Sequence, residues 1–378
     1  MDRSDKPSKK RGRTDDDDDG GHRGPGRGGT SGGESTGSYK NKEEQPQFEE
    51  MMLKMTLTHG LSLPAFKFIS DTSCGLHGSV YMVKYKEDDK LAAIKEICQD
   101  HKVLSISDIN EATMLKKLTP HQNIMSLLDV VNNNGKFYLV FEYLEFDLRS
   151  LLDSRLISLM DHQVASLSKQ LFQGLYHCHQ NNILHMDLKP SNILISQKFQ
   201  VKLTGFDFSR LISANDSLPD VSKGESLNYR APEVLQDSED YRMVADVWSC
   251  GCIIGGTFNG TDVFISENKL EQLNDIYELC GPPPSRHSSN ANSPSQPDQK
   301  QAIVCQRHVR KLFRSVPAAA LDLLDSILVV DPLIRISAEE ALGSDWLKDV
   351  NPERVKPPKL PTVREYGKFC QIYRNNGI

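Results

Sequence analysis

No stretch of this chain approaches the roughly 18 to 20 consecutive apolar residues that a membrane-crossing helix needs. The N-terminus likewise lacks an apolar segment of the kind a signal peptide carries. Membrane insertion and secretion are therefore not expected, and the nucleus or cytoplasm is the expected location. A strong excess of one charge is missing too: the 378 residues carry a formal charge of −6. That balance supplies no whole-molecule attraction to nucleic acid or to an anionic membrane surface, so neither is an expected partner. Cysteine occurs without a pattern. Cys74, Cys98, Cys178, Cys250, Cys252, Cys280, Cys305 and Cys370 are scattered, with no C-x-x-C pair and no Cys/His cluster at zinc spacing. Reduced thiols, mostly buried as small hydrophobes, are the expectation.

Residues 1 to 50 are poor in aliphatic side chains and rich in Gly, Ser, Asp, Lys and Arg. Such a segment cannot bury enough apolar surface to offset ordering entropy, and it is expected to be a disordered tail. Within it, Lys9-Lys10-Arg11-Gly12-Arg13 has the make-up of a short nuclear-import signal, followed by an acidic run from Asp15 to Asp19. The competing reading is a solvated tail whose opposite charges neutralise each other.

What is present reads as a globular protein, with 38% hydrophobic and 25% charged residues. Its length suits one large two-lobed domain or two ordinary ones. From Phe66 to Val140 the chain alternates in short β-like runs, Ser79–Val83, Leu91–Ile94 and Phe137–Val140, interrupted by one helical stretch, Ile109 to Leu118. After Asp147 the period turns helical, over Leu148 to Leu152, Val164 to His179 and again after Val244. An α+β architecture follows: a small β-rich lobe over about 66–141, then a larger helical lobe over about 148–348, linked by Glu142 to Asp147. Pro282 to Gln301 reads as a surface loop, and Pro352 to Ile378, within a C-terminal tail over 349–378, as extended chain.

Several motifs arrive in a fixed order. Ser73-Cys74-Gly75-Leu76-His77-Gly78-Ser79-Val80 is glycine-bearing, and glycine lets backbone amides close over phosphates because no Cβ intervenes. Alone, it is equally a plain hairpin turn. Ala93-Ile94-Lys95 follows one hairpin later, and the next helix offers Glu111 as a partner for the Lys95 ammonium. Then come His185-Met186-Asp187-Leu188-Lys189-Pro190-Ser191-Asn192, Gly205-Phe206-Asp207, Tyr229-Arg230-Ala231-Pro232-Glu233, Asp246-Val247-Trp248-Ser249-Cys250-Gly251 and Asp331-Pro332-Leu333-Ile334-Arg335.

This series resembles the eukaryotic protein kinases, and within them the cyclin-dependent kinase-like (CMGC) group, over roughly residues 66 to 348. The resemblance implies a bilobal protein kinase fold with ATP and Mg as cofactors and a protein substrate, and it suggests a cyclin-like regulatory partner. It implies Asp187 as the base for the substrate hydroxyl, with Lys189 on the transferring phosphoryl group. Lys95, paired with Glu111, would grip the α and β phosphates under a lid made by Ser73, Gly75 and Gly78. Val80, Ala93 and Leu194 would enclose the adenine, with Phe141 as gatekeeper and Glu142 and Leu144 as hinge. Leu115, His185 and Phe206 would stack as the regulatory spine, and Arg335 would pair with Glu233. For the metal, Asn192 is one implied ligand and Asp207 the other candidate.

The sequence departs from the family pattern at the metal. D-F-G reads Gly205-Phe206-Asp207, so the bridging carboxylate is absent from its usual place. On extended backbone Asp207 would lie about 6 to 7 Å further along. The arginines that clamp an activation-loop phosphate in relatives are here Asn110, Met186 and Arg210, the acceptor threonine position is Val221 beside Ser222, and Glu225 stands in the proline-accepting pocket. Leu76-His77 replaces the pair that carries inhibitory phosphates. Two functions follow: an ATP-dependent serine/threonine protein kinase of attenuated activity, or a pseudokinase that serves as a nucleotide- or partner-binding module.

Overall fold

In the computed structural model the described residues are 63–75, 78–97, 106–133, 136–212, 227–238, 243–283 and 307–375, with backbone alone at 71–75, 78–79, 106–108 and 371–375. The expected disordered tail and its import signal, the 284–301 part of the Pro/Ser-rich loop, Leu76, His77, Val221, Ser222, Glu225, Cys98 and Cys305 lie outside them.

Five antiparallel strands build the first lobe: β1 Phe66–Gly75, β2 Gly78–Tyr85, β3 Leu91–Glu96, β4 Leu127–Asn133 and β5 Lys136–Glu142, in spatial order β1-β2-β3-β5-β4. Alternation explains the pleat. Ala92 and Ile94 of β3 face a small core with Val83, Val131, Tyr138 and Val140, while Lys95 takes the opposite face. The helix α1, Ile106–Leu118, crosses from β3 to β4. Its Ile109, Ala112, Leu115 and Leu118 recur every third residue and are buried as one stripe, and Lys116 and Lys117 sit where the helix dipole favours cations.

The second lobe is helical. Short strands β6 Phe146–Asp147, β8 Ile193–Ile195 and β9 Val201–Leu203 form one sheet, and β7 Ile183–Leu184 pairs with β10 Arg210–Leu211. Around them run α2 Leu148–Asp153, α3 Asp161–Gln180, α4 Pro232–Leu235, α5 Val244–Asn259, α6 Lys269–Cys280, α7 Val309–Leu312, α8 Ala318–Ile327, α9 Ala338–Leu342 and α10 Val363–Asn375. Asp147 caps α2 by accepting from the Ser150 amide at 2.8 Å, and Ser337 and Glu340 close a reciprocal box at the start of α9. Helix α5 is buried along most of its length, including Trp248 and Asp246. A large continuous core runs from Ile97 of the first lobe through Leu115, Phe206 and Trp248 to Leu347.

The C-terminal reading needs correction. Residues 352–378 are not extended throughout: after Pro361, α10 forms and docks on the link between the lobes. Its Tyr366 hydroxyl donates to the Asp147 carboxylate at 2.6 Å, accepts from the Asp147 amide at 3.2 Å, and the ring packs edge-on to Phe146. None of the five thiols described, Cys178, Cys250, Cys252, Cys280 and Cys370, is in a disulfide, and all but Cys370 are buried. Among the described residues no helix is long and apolar enough to cross a membrane.

Candidate active site

Strand β3 and helix α1 present opposite charges to one another. Lys95 Nζ lies 2.6 Å from Glu111 Oε2, as the motif order predicts, and 2.7 Å from Asp207 Oδ1. All three side chains are buried. Burial works against the Lys95 charge, but the Glu111 and Asp207 carboxylates outweigh it and hold the ammonium above its ordinary range. An ammonium has three protons, and two of them are directed to these carboxylates.

Asp207 reaches Lys95 because the backbone is not extended there. Gly205 is left-handed, at φ 76° and ψ 48°, and Phe206–Phe208 form a 3-10 turn. The extended 6 to 7 Å displacement expected from the sequence is thus replaced by a reversal, which swings the third residue toward β3. Glycine suits 205 on two counts: its φ costs most side-chain-bearing residues, and a Cβ there would stand 2.5 to 2.7 Å from Asn192 Cγ, Nδ2 and Oδ1, so that side chain would have to shift.

Below that turn lies the loop carrying Asp187. Its backbone hangs from the buried carboxylate of Asp246, which accepts from the His185 amide at 2.8 Å, the Met186 amide at 2.9 Å and His179 Nε2 at 3.1 Å. Burial alone would raise the Asp246 pKa, but the His179 bond and charge and the His185 contacts bring it below the ordinary range. Met186 itself is held at φ 67°. His185 Nε2 donates to the Thr204 carbonyl at 2.9 Å, which leaves Nδ1 to accept from the Asp187 amide at 3.3 Å. Full burial keeps that imidazole below its usual pKa, so it is neutral. The Asp187 carboxylate accepts from Lys189 Nζ and from Asn192 Nδ2, each at 2.9 Å. Asn192 Nδ2 also bonds the Asp187 carbonyl at 2.8 Å.

The remaining predicted residues fall around these. His185 and Phe206 rings lie 4.6 Å apart in the core that also holds Leu115. Ser73, Gly75, Gly78 and Val80 belong to the β1–β2 hairpin, with Gly75 opposite Gly78 and Ser73 opposite Val80. Ala93 faces Phe141 across β3 and β5, and Ala93, Leu144 and Leu194 are partly buried beside the main core. Glu142 is drawn away from a purely backbone role: its carboxylate takes Lys202 Nζ at 2.7 Å and the Ser126 amide at 2.8 Å. Arg335 grips Glu233 with two bonds, of 2.7 and 2.9 Å. The two predicted metal ligands are not engaged alike, since Asn192 is bound to Asp187 and Asp207 to Lys95. Among the described residues no group of three or more His, Cys, Asp or Glu is placed to hold a metal ion.

Three features escaped the sequence. Asn110 donates from α1 to the carbonyls of Asp207 and Ser209, at 3.1 and 2.6 Å. Asp246 was visible as part of a motif, but nothing in the spacing told that it hangs the catalytic loop. Arg149, Tyr229 and Asp262 form a knot in which Arg149 bonds Tyr229, Asp262 at 2.5 Å and Asp153 at 3.1 Å. That knot borders a cavity of about 360 Å3, also lined by Lys189, Ser191 and Glu267.

Comparison with known proteins agrees with this geometry. The family profile described as protein kinase domain matches residues 72–347. Cyclin-dependent kinase 12 of Drosophila melanogaster is 38% identical over 314 residues, covering 79% of this chain and 27% of that protein. Cyclin-dependent kinase C-2 of Arabidopsis thaliana is 33% identical over 327 residues, covering 82% and 63%. For cyclin-dependent kinase 12 of Caenorhabditis elegans the identity is 32% over 340 residues, covering 84% and 44%. The chain thus spans between about a quarter and two thirds of the length of these relatives. From the β-rich lobe through the Asp187 loop to the Glu233–Arg335 pair, the chain belongs to the protein kinase family, on its cyclin-dependent kinase-like branch.

Proposed function

We propose that the protein is an ATP-dependent serine/threonine protein kinase, which moves the γ-phosphate of ATP to hydroxyls of protein substrates with turnover limited by its metal site. The observation that carries this is the joint placement of Asp187 with Lys189 at 2.9 Å and of Lys95 with Glu111 at 2.6 Å. Asp187 takes the substrate hydroxyl proton as the oxygen attacks, and Lys189 offsets charge on the phosphoryl group in flight. The third Lys95 proton is open to a phosphate oxygen. The cavity beside Lys189 receives the substrate segment.

Protein kinases use ATP with a divalent cation, and magnesium is the cation we assign. When bound, it would supply positive charge to offset that of the ATP phosphates. Such a hard cation takes oxygen ligands. Asn192 turns its NH2 to Asp187 and so offers its carbonyl oxygen; Asp207, bound to Lys95 through Oδ1, would have its other carboxylate oxygen to offer. The residues fit a cation in part, and no step is assigned to it.

A second reading rests on one observation: the Asn192 side chain fills the space where a Cβ at 205 would stand. Under it the protein is a pseudokinase, a nucleotide- or partner-binding module. The relatives' names supply the further proposal of a cyclin-like partner, and the Lys9–Arg13 cluster that of a nuclear location.

Magnesium-dependent transfer of radiolabel from ATP to generic protein substrates separates the readings. Native protein should label substrate, and Asp187→Ala should lower the rate by about 10² to 10⁴-fold. Native protein that binds nucleotide yet transfers no more label than Asp187→Ala belongs to the second reading.

A further inference from the structure

Two charged groups of the Lys95 cluster come from segments with no covalent reason to stay in register. Glu111 sits on α1, and Asp207 on the 3-10 turn after Gly205. One side chain spans both. Asn110, the residue before Glu111, points its Nδ2 at Ser209 O at 2.6 Å, Asp207 O at 3.1 Å and Phe206 O at 3.4 Å. An amide has two protons, so the two nearer carbonyls take one each and the third is shared. The Phe206 carbonyl is also served by the Ser209 amide at 3.2 Å, and the Ser209 carbonyl by Arg210 Nη1 at 3.0 Å.

The far side of the turn is fixed independently. Ser209 Oγ donates to the His185 carbonyl at 3.2 Å, and Arg210 pairs with Leu184 in the β7–β10 ladder. The turn is therefore anchored to the catalytic loop on one side, and Asn110 ties the other side to α1. Moving α1 outward breaks the amide bonds and the Glu111–Lys95 contact together.

We propose that Asn110 is a positioning residue: by bonding the Asp207 and Ser209 carbonyls it locks α1 to the Gly205–Ser209 turn and so sets the Lys95–Glu111–Asp207 cluster. The lock is made by a neutral amide against backbone. It needs no phosphate on the segment between Leu211 and Leu227, and the helix is held in place by the protein's own side chain. This deepens the kinase reading, which gives the Lys95 cluster its role, but the lock itself is a matter of structure.

Hydrogen exchange read by mass spectrometry tests it in the full chain without relying on phosphoryl transfer. Asn110→Ala removes the donor, whereas Asn110→Asp sets a carboxylate against carbonyls and should be worse at neutral pH. Exchange over Ile106–Leu118 and Phe206–Ser209 should rise about tenfold in the first and further in the second, with Val244–Asn259 unchanged. Asn110→Gln, which keeps the amide, should recover part of the protection. In parallel, Lys95 acylation by an ATP-derived acyl phosphate should slow in Asn110→Ala more than nucleotide affinity falls. Unchanged exchange in both segments overturns the lock. Loss of nucleotide binding in native protein would instead defeat the kinase reading, and the exchange data would still decide the lock.

Discussion

Two buried ion clusters among the described residues are built on opposite plans. Glu233 and Arg335 form a closed pair: one carboxylate meets one guanidinium through two bonds, and Arg335 also donates to the carbonyls of Val244 and Val329 while lying over Trp248. Its two charges balance each other within the helical lobe. Lys95, by contrast, serves two carboxylates from two different segments, so its cluster is left with one negative charge in excess. A balanced buried pair fixes a frame, since neither member can leave without stranding the other. An unbalanced one can exchange partners, because a cation or a phosphate can substitute for a member. Frame and working site are thus distinguished by charge count rather than by depth, as both are buried.

The sharpest way to break this contrast is Arg335→Met. It strands Glu233 in an apolar surrounding, and denaturant unfolding should show a loss of about 3 to 5 kcal/mol. Lys95→Met should cost more, because it leaves two buried carboxylates without their cation where Arg335→Met leaves one. Equal losses from the two changes would mean that the charge count is irrelevant and burial alone sets the cost.

Next in size is the exchange Gly205→Asp with Asp207→Gly. It moves the carboxylate off Lys95 to the place beside Asn192, and leaves the Lys95–Glu111 pair balanced like the frame. Magnesium-dependent ATP turnover should rise on the order of 10²-fold. Aspartate tolerates the left-handed backbone at 205 better than most residues, and the atoms in its way belong to the Asn192 side chain, which must shift within its bonds to Asp187 to make room. Gly205→Asp alone should gain less, because it leaves a further carboxylate nearby. Native turnover already equal to that of the double variant would show that Asp207 supports the reaction from where it stands.

Much of the frame was legible because it is made of charged residues in a fixed order. Lys95 and Glu111 of the working site stand out by type and order just as Glu233 and Arg335 of the frame do, and the pairing of the latter two is what the resemblance to protein kinases implies. The geometry at Asp207 was not legible, since the extended-strand estimate assumes the backbone that Gly205 abandons at φ 76°. Asn110 was legible only as a missing arginine. Its amide bonds depend on a turn whose shape no local spacing reveals. At the C-terminus, Pro352, Pro357, Pro358 and Pro361 dominate the reading and suggest extended chain, but the helix begins just beyond the last of them, at Val363.

Tyr366 on that helix offers the smallest and most discriminating test of the same rule. Its hydroxyl bonds the Asp147 carboxylate at 2.6 Å, yet Asp147 also holds the Ser150 amide at 2.8 Å and is only half-buried. Burial raises the phenol's pKa, and the neighbouring Asp147 charge raises it further, so the group stays a neutral donor across the physiological range. Tyr366→Phe removes the donor, but leaves the carboxylate with a second partner and access to water. A charge with those outlets should not be stranded, and the expected loss is about 1 kcal/mol, well below the value for Arg335→Met. Thermal unfolding of the Phe variant beside a chain truncated after Thr362 separates this bond from the docking of α10 as a whole. A Tyr366→Phe loss matching that of Arg335→Met would show that the link between the lobes behaves as frame, and that the number of alternative partners does not decide what a lost bond costs.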